Sequence, residues 1–173
     1  MQTAVTGSAE NAAFRMYGMA PGEYRTDGTF VPWEELRPSV IVSFGKYILN
    51  RLTAAEGSRI VIPEYIDAVG CRAFEYGKLS CVIFPDSLTD IMDGAFGRSR
   101  LRTAVLPENI LSVGAGAFEF SQLRSVYLPS SLRSVGRNAF RGCRGLTAAG
   151  YAGPRQRELF RRSFAPDGGE LPF

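Results

Sequence analysis

The residues of this chain that could do chemistry are few, and their spacing argues against a reaction. None of the 173 residues is histidine, which removes Ser-His-Asp and Cys-His catalysis and every metal site built on imidazole. No GxxxxGK[ST] loop is present, and no GxGxxG opens a helix. Asp86, Asp90, Asp93 and Gly94 form the one acidic cluster. It superficially suggests calcium, but it lacks the alternate-residue ligands and closing glutamate of an EF-hand loop, and it reads as a solvated turn. Cys71, Cys81 and Cys143 are an odd count without CxxC spacing. They predict free, partly buried thiols, with no disulfide framework and no zinc knuckle. Cys81 could sit outward on a strand, yet no base beside it in sequence argues for an activated thiolate. The expectation is a protein that is not an enzyme, with no catalytic residue, cofactor or metal.

What must position any functional side chain is a repeat. The run Ile60 to Phe74 recurs from Val82, Ala104 and Val126, with prolines at Pro63, Pro85, Pro107 and Pro129 and phenylalanines at Phe74, Phe96, Phe118 and Phe140, a step of 22 residues throughout. A fixed period of this size marks a solenoid, whose coils bury their apolar faces only by stacking. Each repeat opens with a strand: Arg59–Ile62, Cys81–Phe84, Thr103–Leu106 or Ser125–Leu128. Period-two alternation sends Ile60/Ile62, Val82/Phe84, Ala104/Leu106 and Val126/Leu128 inward. Proline ends each strand where its missing N–H is tolerated. A second apolar pair follows (Ile66/Val69, Leu88/Ile91, Ile110/Val113, Leu132/Val135), then a small alanine before the phenylalanine. Leu79, Leu101, Leu123 and Leu146 close the coils, the last one residue late. The predicted fold class is therefore a β-rich leucine-rich solenoid of four coils with parallel strands and terminal caps.

The ends depart from the repeat. Residues 1–56 read as an N-terminal extension and cap, 57–149 as the four repeats, and 150–173 as a cap helix and tail. Met1 to about Asn11 is expected to be loose, while Phe14, Met16, Tyr17 and Tyr24 could cover the open end of the core. Phe30 to Leu36 reads as a short extended piece and a helical turn. Val40, Phe44, Tyr47, Ile48 and Leu52 match an amphipathic helix. The same residues extend the repeat backwards, because Phe44, Tyr47 and Leu52 lie 22 before Ile66, Val69 and Phe74; a helical cap and a degenerate repeat at 38–56 both stay open. Beyond Gly150 a helix is predicted over Arg155 to Phe164, with Pro154 at its first position, followed by a frayed tail from Pro166.

Composition is that of an ordinary soluble domain, with 45% hydrophobic and 21% charged residues. Its net charge of +3 is unevenly placed: residues 1–96 carry −4 and residues 97–173 carry +7. No signal peptide is visible and no window of 18 apolar residues occurs. As it stands this predicts a cytoplasmic chain, unless an export signal has been removed.

The runs Leu79 to Pro85 with Ala95-Phe96, and Leu123 to Pro129 with Ala139-Phe140, resemble the BspA-like, or treponemal-type, leucine-rich repeat family. Its glycine is kept at Gly70, Gly114 and Gly136 and replaced by Met92 in the second repeat; its cysteine is matched only by Cys143, the other repeats reading one residue shorter there. The resemblance implies a largely bacterial protein-binding module, often surface-exposed or secreted and adhesive, with no catalytic residue in the repeats.

The candidate site is the outward face of the strand column. Alternation exposes Arg59 with Val61, Cys81 with Ile83, Thr103 with Val105 and Ser125 with Tyr127. Val61, Ile83, Val105 and Tyr127 then form an apolar row, bordered by Arg102 and Arg124 on one edge and by Glu64, Asp86 and Glu108 on the other. An apolar row with charged borders is how a protein-binding surface looks. Two other readings compete. Arg133, Arg137, Arg141, Arg144, Arg155, Arg157, Arg161 and Arg162 could bind nucleic acid or another polyanion, and an exposed coil end could pack on a second copy as a structural or oligomeric scaffold.

Overall fold

The computed structural model describes residues 19–146 and 148–164. The expectations for Phe14, Met16, Tyr17, the first eleven residues and the tail from Pro166 lie outside the described residues. The described residues begin with two hairpins, β1 (Gly22–Tyr24) with β2 (Phe30–Pro32), and β3 (Ser39–Ser43) with β4 (Lys46–Arg51), separated by a 3-10 turn at Trp33–Leu36. Each repeat then contributes two short strands. These are β5 (Arg59–Val61) and β6 (Ala68–Val69), β7 (Cys81–Ile83) and β8 (Asp90–Ile91), β9 (Thr103–Val105) and β10 (Ser112–Val113), and β11 (Ser125–Leu128) and β12 (Ser134–Val135). A last strand, β13 (Ala148–Tyr151), and a helix, α1 (Pro154–Phe164), complete the described chain.

Stacking the coils makes two sheets, ordered β13-β11-β9-β7-β5-β1-β2 and β12-β10-β8-β6-β4-β3. Inside the repeat every pairing is parallel and in register at the 22-residue step, for instance Ile60 with Val82 and Val69 with Ile91. Alternation holds: Ile60, Ile62, Val82, Phe84, Ala104, Leu106, Val126 and Leu128 are all buried. After each strand the proline carbonyl accepts an N–H from three residues on, Ile66 to Pro63 at 3.1 Å and Leu88 to Pro85 at 3.2 Å. The proline thus both ends the strand and starts the turn into the second sheet.

A third wall needs no strand. The first three phenylalanines donate their N–H to the alanine carbonyl of the next coil, Phe74 to Ala95 at 2.8 Å, Phe96 to Ala117 at 2.7 Å and Phe118 to Ala139 at 2.8 Å. The rings therefore stack nearly parallel, with centroids 5.0 Å apart for Phe74 and Phe96, 5.3 Å for Phe96 and Phe118, and 5.4 Å for Phe118 and Phe140. Two positions of every coil adopt a left-handed backbone with φ between 55° and 70°: Arg72, Gly94, Gly116 and Asn138, then Tyr76, Arg98, Phe120 and Gly142. For residues with a Cβ that conformation is costly. Inter-coil bonds offset it, as in Arg72 to the Asp93 carbonyl and Tyr76 to the Gly97 carbonyl.

The family cysteine site exists in every coil, which corrects the reading from spacing. Gly77, Ser99, Ser121 and Cys143 each donate their N–H to the phenylalanine carbonyl three residues back. The extra residue of the last repeat falls after Cys143, where Leu146 bonds back to the Cys143 carbonyl. Cys143 is buried, and its thiol donates to the Phe118 carbonyl at 3.1 Å and lies 3.4 Å from the Ser121 hydroxyl. Burial pushes its pKa up, against the hydrogen bonds from Ser121. It is a packing residue and not a nucleophile. Ser99 stands in the same column with a buried hydroxyl that has no partner. An unpaired buried hydroxyl costs about 1–3 kcal/mol. Ser99→Ala should therefore raise the unfolding free energy by roughly 1 kcal/mol, seen as a higher midpoint in a urea titration; a lower midpoint would refute this account.

At the N-terminal end Glu23 faces inward beside Ile60, almost wholly buried. Its two oxygens accept the Ala55 N–H at 2.5 Å and the Arg25 guanidinium at 3.0 Å, so a satisfied carboxylate closes this edge of the sheet. Trp33 is also buried there and donates to the Tyr65 hydroxyl at 2.7 Å. The helical reading of residues 39–55 is overturned, because the segment is a hairpin. Ser-Val-Ile-Val-Ser is a strand-forming run, and Phe44 and Gly45, with φ of 50° and 76°, reverse the chain in two residues. The register also differs from a simple backward step: Ile48 pairs with Ala68 and Leu49 with Val69, while Phe44 and Tyr47 are exposed.

At the other end α1 spans the expected residues. Phe160 is buried 5.1 Å from the Phe140 ring and extends the aromatic stack. Before it, β13 pairs in parallel with β11, so the strand face continues one strand past the last full coil.

Candidate functional site

The strand face is built as alternation requires, but its openness is uneven. Arg59, Arg102 and Arg124 are exposed, and Thr103, Val105, Ser125 and Tyr127 are half-buried. Val61 and Ile83, read from sequence as open, are only 8% and 6% exposed. The reason lies in the N-terminal hairpin, which no period reveals. Gly22 pairs with Val61, and the Phe30 ring lies across it, where a Cβ on Gly22 would come within 2.6 Å. Ile83 is then flanked on adjacent strands by Val61 and Val105. The accessible apolar row is thus its C-terminal half, Val105 and Tyr127.

The hairpin also adds to this face. Register places Tyr24 beside Arg59 and Phe30 beside Tyr24, and the two rings sit 4.7 Å apart. Sequence reading assigned Tyr24 to the core end and missed the pair as part of the surface. Only the antiparallel docking of β1 on β5 makes them neighbours of the strand face.

The borders carry opposite charge. At the start of the strands Lys78, Arg100, Arg102 and Arg124 are exposed, and just past the prolines Glu64, Asp86 and Glu108 are exposed. Arg100 is ion-paired with Glu56, and the Asp86 N–H is held by the Glu64 carboxylate at 3.1 Å. Successive strands lie roughly 4.8 Å apart, so each border presents a line of like charges along the solenoid.

The acidic cluster separates in space. Asp90 bonds Lys46 at 2.5 Å, Ser112 at 2.5 Å and Thr89 at 2.7 Å. Burial opposes its ionisation, yet these bonds outweigh the penalty and hold its pKa below the usual carboxylate range. Asp93 instead accepts the Ala115 N–H at 2.7 Å. Both carboxylates are spent on holding coils together. Among the described residues no group of three or more His, Cys, Asp or Glu side chains is placed to hold a metal ion. An open cleft of about 800 Å³ lies at the first coil, lined by Leu52, Cys71, Phe74, Tyr76 and Leu79 among others. No described helix is long and apolar enough to cross a membrane.

On the turn side of the coils the Arg98 guanidinium lies between the Tyr76 and Phe120 rings, 5.9 and 5.2 Å from their centroids, and Arg141 sits 5.9 Å from Phe120. These arginines spend part of their charge on neighbouring rings, and Arg141 and Arg162 also face Glu119 and Glu158.

Comparison with known proteins agrees with this architecture. The family described as a BspA type leucine rich repeat region matches residues 38–150 in six copies. No curated protein matches the sequence. Among solved structures, a leucine-rich repeat protein from Bacteroides ovatus is similar at 26% identity and a TM-score of 0.53, over 65% of this chain and 32% of that one. The pneumococcal vaccine antigen PcpA is similar at 21% identity and 0.56, over 66% of this chain and 36% of that one. A leucine-rich repeat protein from Bacteroides capillosus is similar at 24% identity and 0.61, over 68% of this chain and 96% of that one. The matched part spans about a third of the first two proteins.

Proposed function

The chain belongs to the BspA-type leucine-rich repeat family, and from that premise we propose that it is a non-enzymatic protein-interaction module that binds through its strand face. The observation that carries this is the half-open apolar pair Val105 and Tyr127, with the exposed Arg102 and Arg124 at the start of their strands and the exposed Glu108 past the end of the first. Apolar contact at the centre would supply affinity, and the two borders would set orientation. The complementary partner is a protein with an apolar ridge, acidic on one flank and basic on the other. Arg59, Arg102, Thr103, Arg124 and Ser125 frame the site. Val61 and Ile83 support it from below more than they touch a ligand. A place at the cell surface and a role in adhesion are the finer reading that membership of this repeat family favours.

The test uses Val105→Asp with Tyr127→Asp, both at half-buried outward positions. The double variant should lose a binding partner retained by the wild-type chain on an immobilised protein panel, with affinity down at least about tenfold, while its thermal melt stays within about 2 °C. Retained binding with an intact fold would place the site elsewhere. Polyanion binding ranks second, because among the arginines it would use Arg141 and Arg162 already face Glu119 and Glu158. Heparin retention that persists at high salt would reverse that order.

A further inference from the structure

Among the described residues the most exposed apolar segment is not on the strand face. It is β3, the outer strand of the six-stranded sheet. Ile41 is 47% exposed, Val42 63%, and Phe44 at the hairpin tip is fully exposed. Sheets normally guard such an edge with proline, charge or extreme shortness. The other described edges do so: β2 has three residues and ends at Pro32, while β12 and β13 lie against α1. In contrast, β3 has five residues, Ser39-Val40-Ile41-Val42-Ser43, and no charge stands between Pro38 and Gly45.

The two-residue turn fixes which groups are unpaired. Ser43 and Lys46 flank it as a pair, so pairing alternates back along β3 and leaves the N–H and C=O groups of Val40 and Val42 pointing away from β4. The sequence of β3 is the same read in either direction. A strand of this kind matches itself when laid antiparallel: Ile41 meets Ile41, Val40 meets Val42, and Ser39 meets Ser43. A two-fold interface needs a self-complementary patch of this sort, and no like charges would be brought together by it.

We propose that β3 pairs antiparallel with β3 of a second copy, about a two-fold axis through Ile41, joining two six-stranded sheets into one. Val40 and Val42 then exchange about four backbone hydrogen bonds across the axis. Phe44 of each copy reaches toward Pro38 of the other. That contact gives a purpose to an aromatic side chain held in a left-handed turn position that favours Asn or Gly. A five-residue strand is only about 17 Å long, so the pairing covers less than the roughly 1,200 Å² of a standard interface. The dimer is accordingly weak, with a Kd of about 10–100 µM. It leaves the strand face open, so its failure would not touch the binding reading above.

Sedimentation velocity on the full 173-residue chain from about 5 to 500 µM should show a monomer–dimer equilibrium. Val42→Lys puts a charge on the edge and should weaken the dimer at least about tenfold. Phe44→Asn should also weaken it while raising the melting temperature, because the turn is relieved; it serves if the first variant folds poorly. With Cys71 and Cys81 changed to Ser, Ile41→Cys should form a disulfide dimer on oxidation, since facing residues at that site come about 4.5 Å apart. Ser39→Cys should not. A wild-type chain that stays monomeric at the highest concentration, a dimer indifferent to Val42→Lys, or cross-linking through position 39 in preference to 41 would overturn the proposal.

Discussion

Phe96→Ala should cost about 3–5 kcal/mol of unfolding free energy, the largest loss expected from truncating any one side chain in this protein. Phe96 is wholly buried between two parallel rings, 5.0 Å from Phe74 and 5.3 Å from Phe118, and it meets the edge of Phe84 at 5.8 Å. Its removal leaves a cavity at the centre of the stack and forfeits aromatic contacts worth roughly 0.5–1.5 kcal/mol beyond area. The backbone bonds from Phe96 to Ala117 and from Phe74 to Ala95 hold neighbouring coils at fixed spacing, so the gap cannot close. A domain commonly has only about 5–15 kcal/mol in total. Because coils touch only their neighbours, the damage should also uncouple the two ends. Trp33 is the only tryptophan and lies at the N-terminal end. Its fluorescence should therefore unfold at a different urea concentration from the circular dichroism signal, where the wild-type curves coincide. Phe96→Leu should recover more than half of the loss. A cost below about 1 kcal/mol would mean that the stack does not hold the coils.

Gly136→Ala should be nearly as damaging, although it adds one methyl group. A Cβ there would lie 2.3 Å from the Ala115 nitrogen, 2.6 Å from the Gly114 carbonyl carbon and 2.7 Å from the Ala115 Cα. All three atoms are backbone of the preceding coil and cannot rotate aside. The approach is held by the Gly136 N–H, which donates to the Val113 carbonyl of that same coil at 2.7 Å. Overpacking of this kind costs about 1–3 kcal/mol, and with only backbone to displace the upper end is expected. Gly145→Ala is the control, since its nearest contact would be 3.5 Å. Gly70→Ala should be milder than Gly136→Ala, because its Cβ would meet nothing closer than 3.1 Å. Equal chemical melts for the three variants would show that close coil approach is not what this column requires.

The phenylalanine column was legible in the sequence because a repeat is a one-dimensional object. Once Phe74, Phe96, Phe118 and Phe140 recur at a fixed step, stacking like on like follows from closing each coil, and burial follows from stacking. The C-terminal helix was equally legible, since Pro154 and the spacing of Leu159 and Phe160 are local signals. The hairpin at β3 and β4 was not. Val40, Phe44, Tyr47 and Ile48 satisfy a helical period by coincidence, and the deciding feature was the left-handed pair Phe44-Gly45, which a phenylalanine does not advertise. The cysteine column was obscured in the same way. Gly77, Ser99 and Ser121 share its backbone position but not its chemistry, and one inserted residue concealed the register.

The candidate site divides along the same line. Sequence alone determined the stacked repeat, the inward and outward alternation of its strands and the identity of the charged borders, because these depend on residues a few positions apart or one period apart. Tertiary structure decided which outward residues are open. Val61 and Ile83 obey the alternation as fully as Val105 and Tyr127, yet they are covered because β1 docks on the edge of the first coil and the Phe30 ring crosses Gly22. That docking joins residues with no repeat relation, and solvent exposure is a property of what lies above a side chain in space, not of its place in the chain.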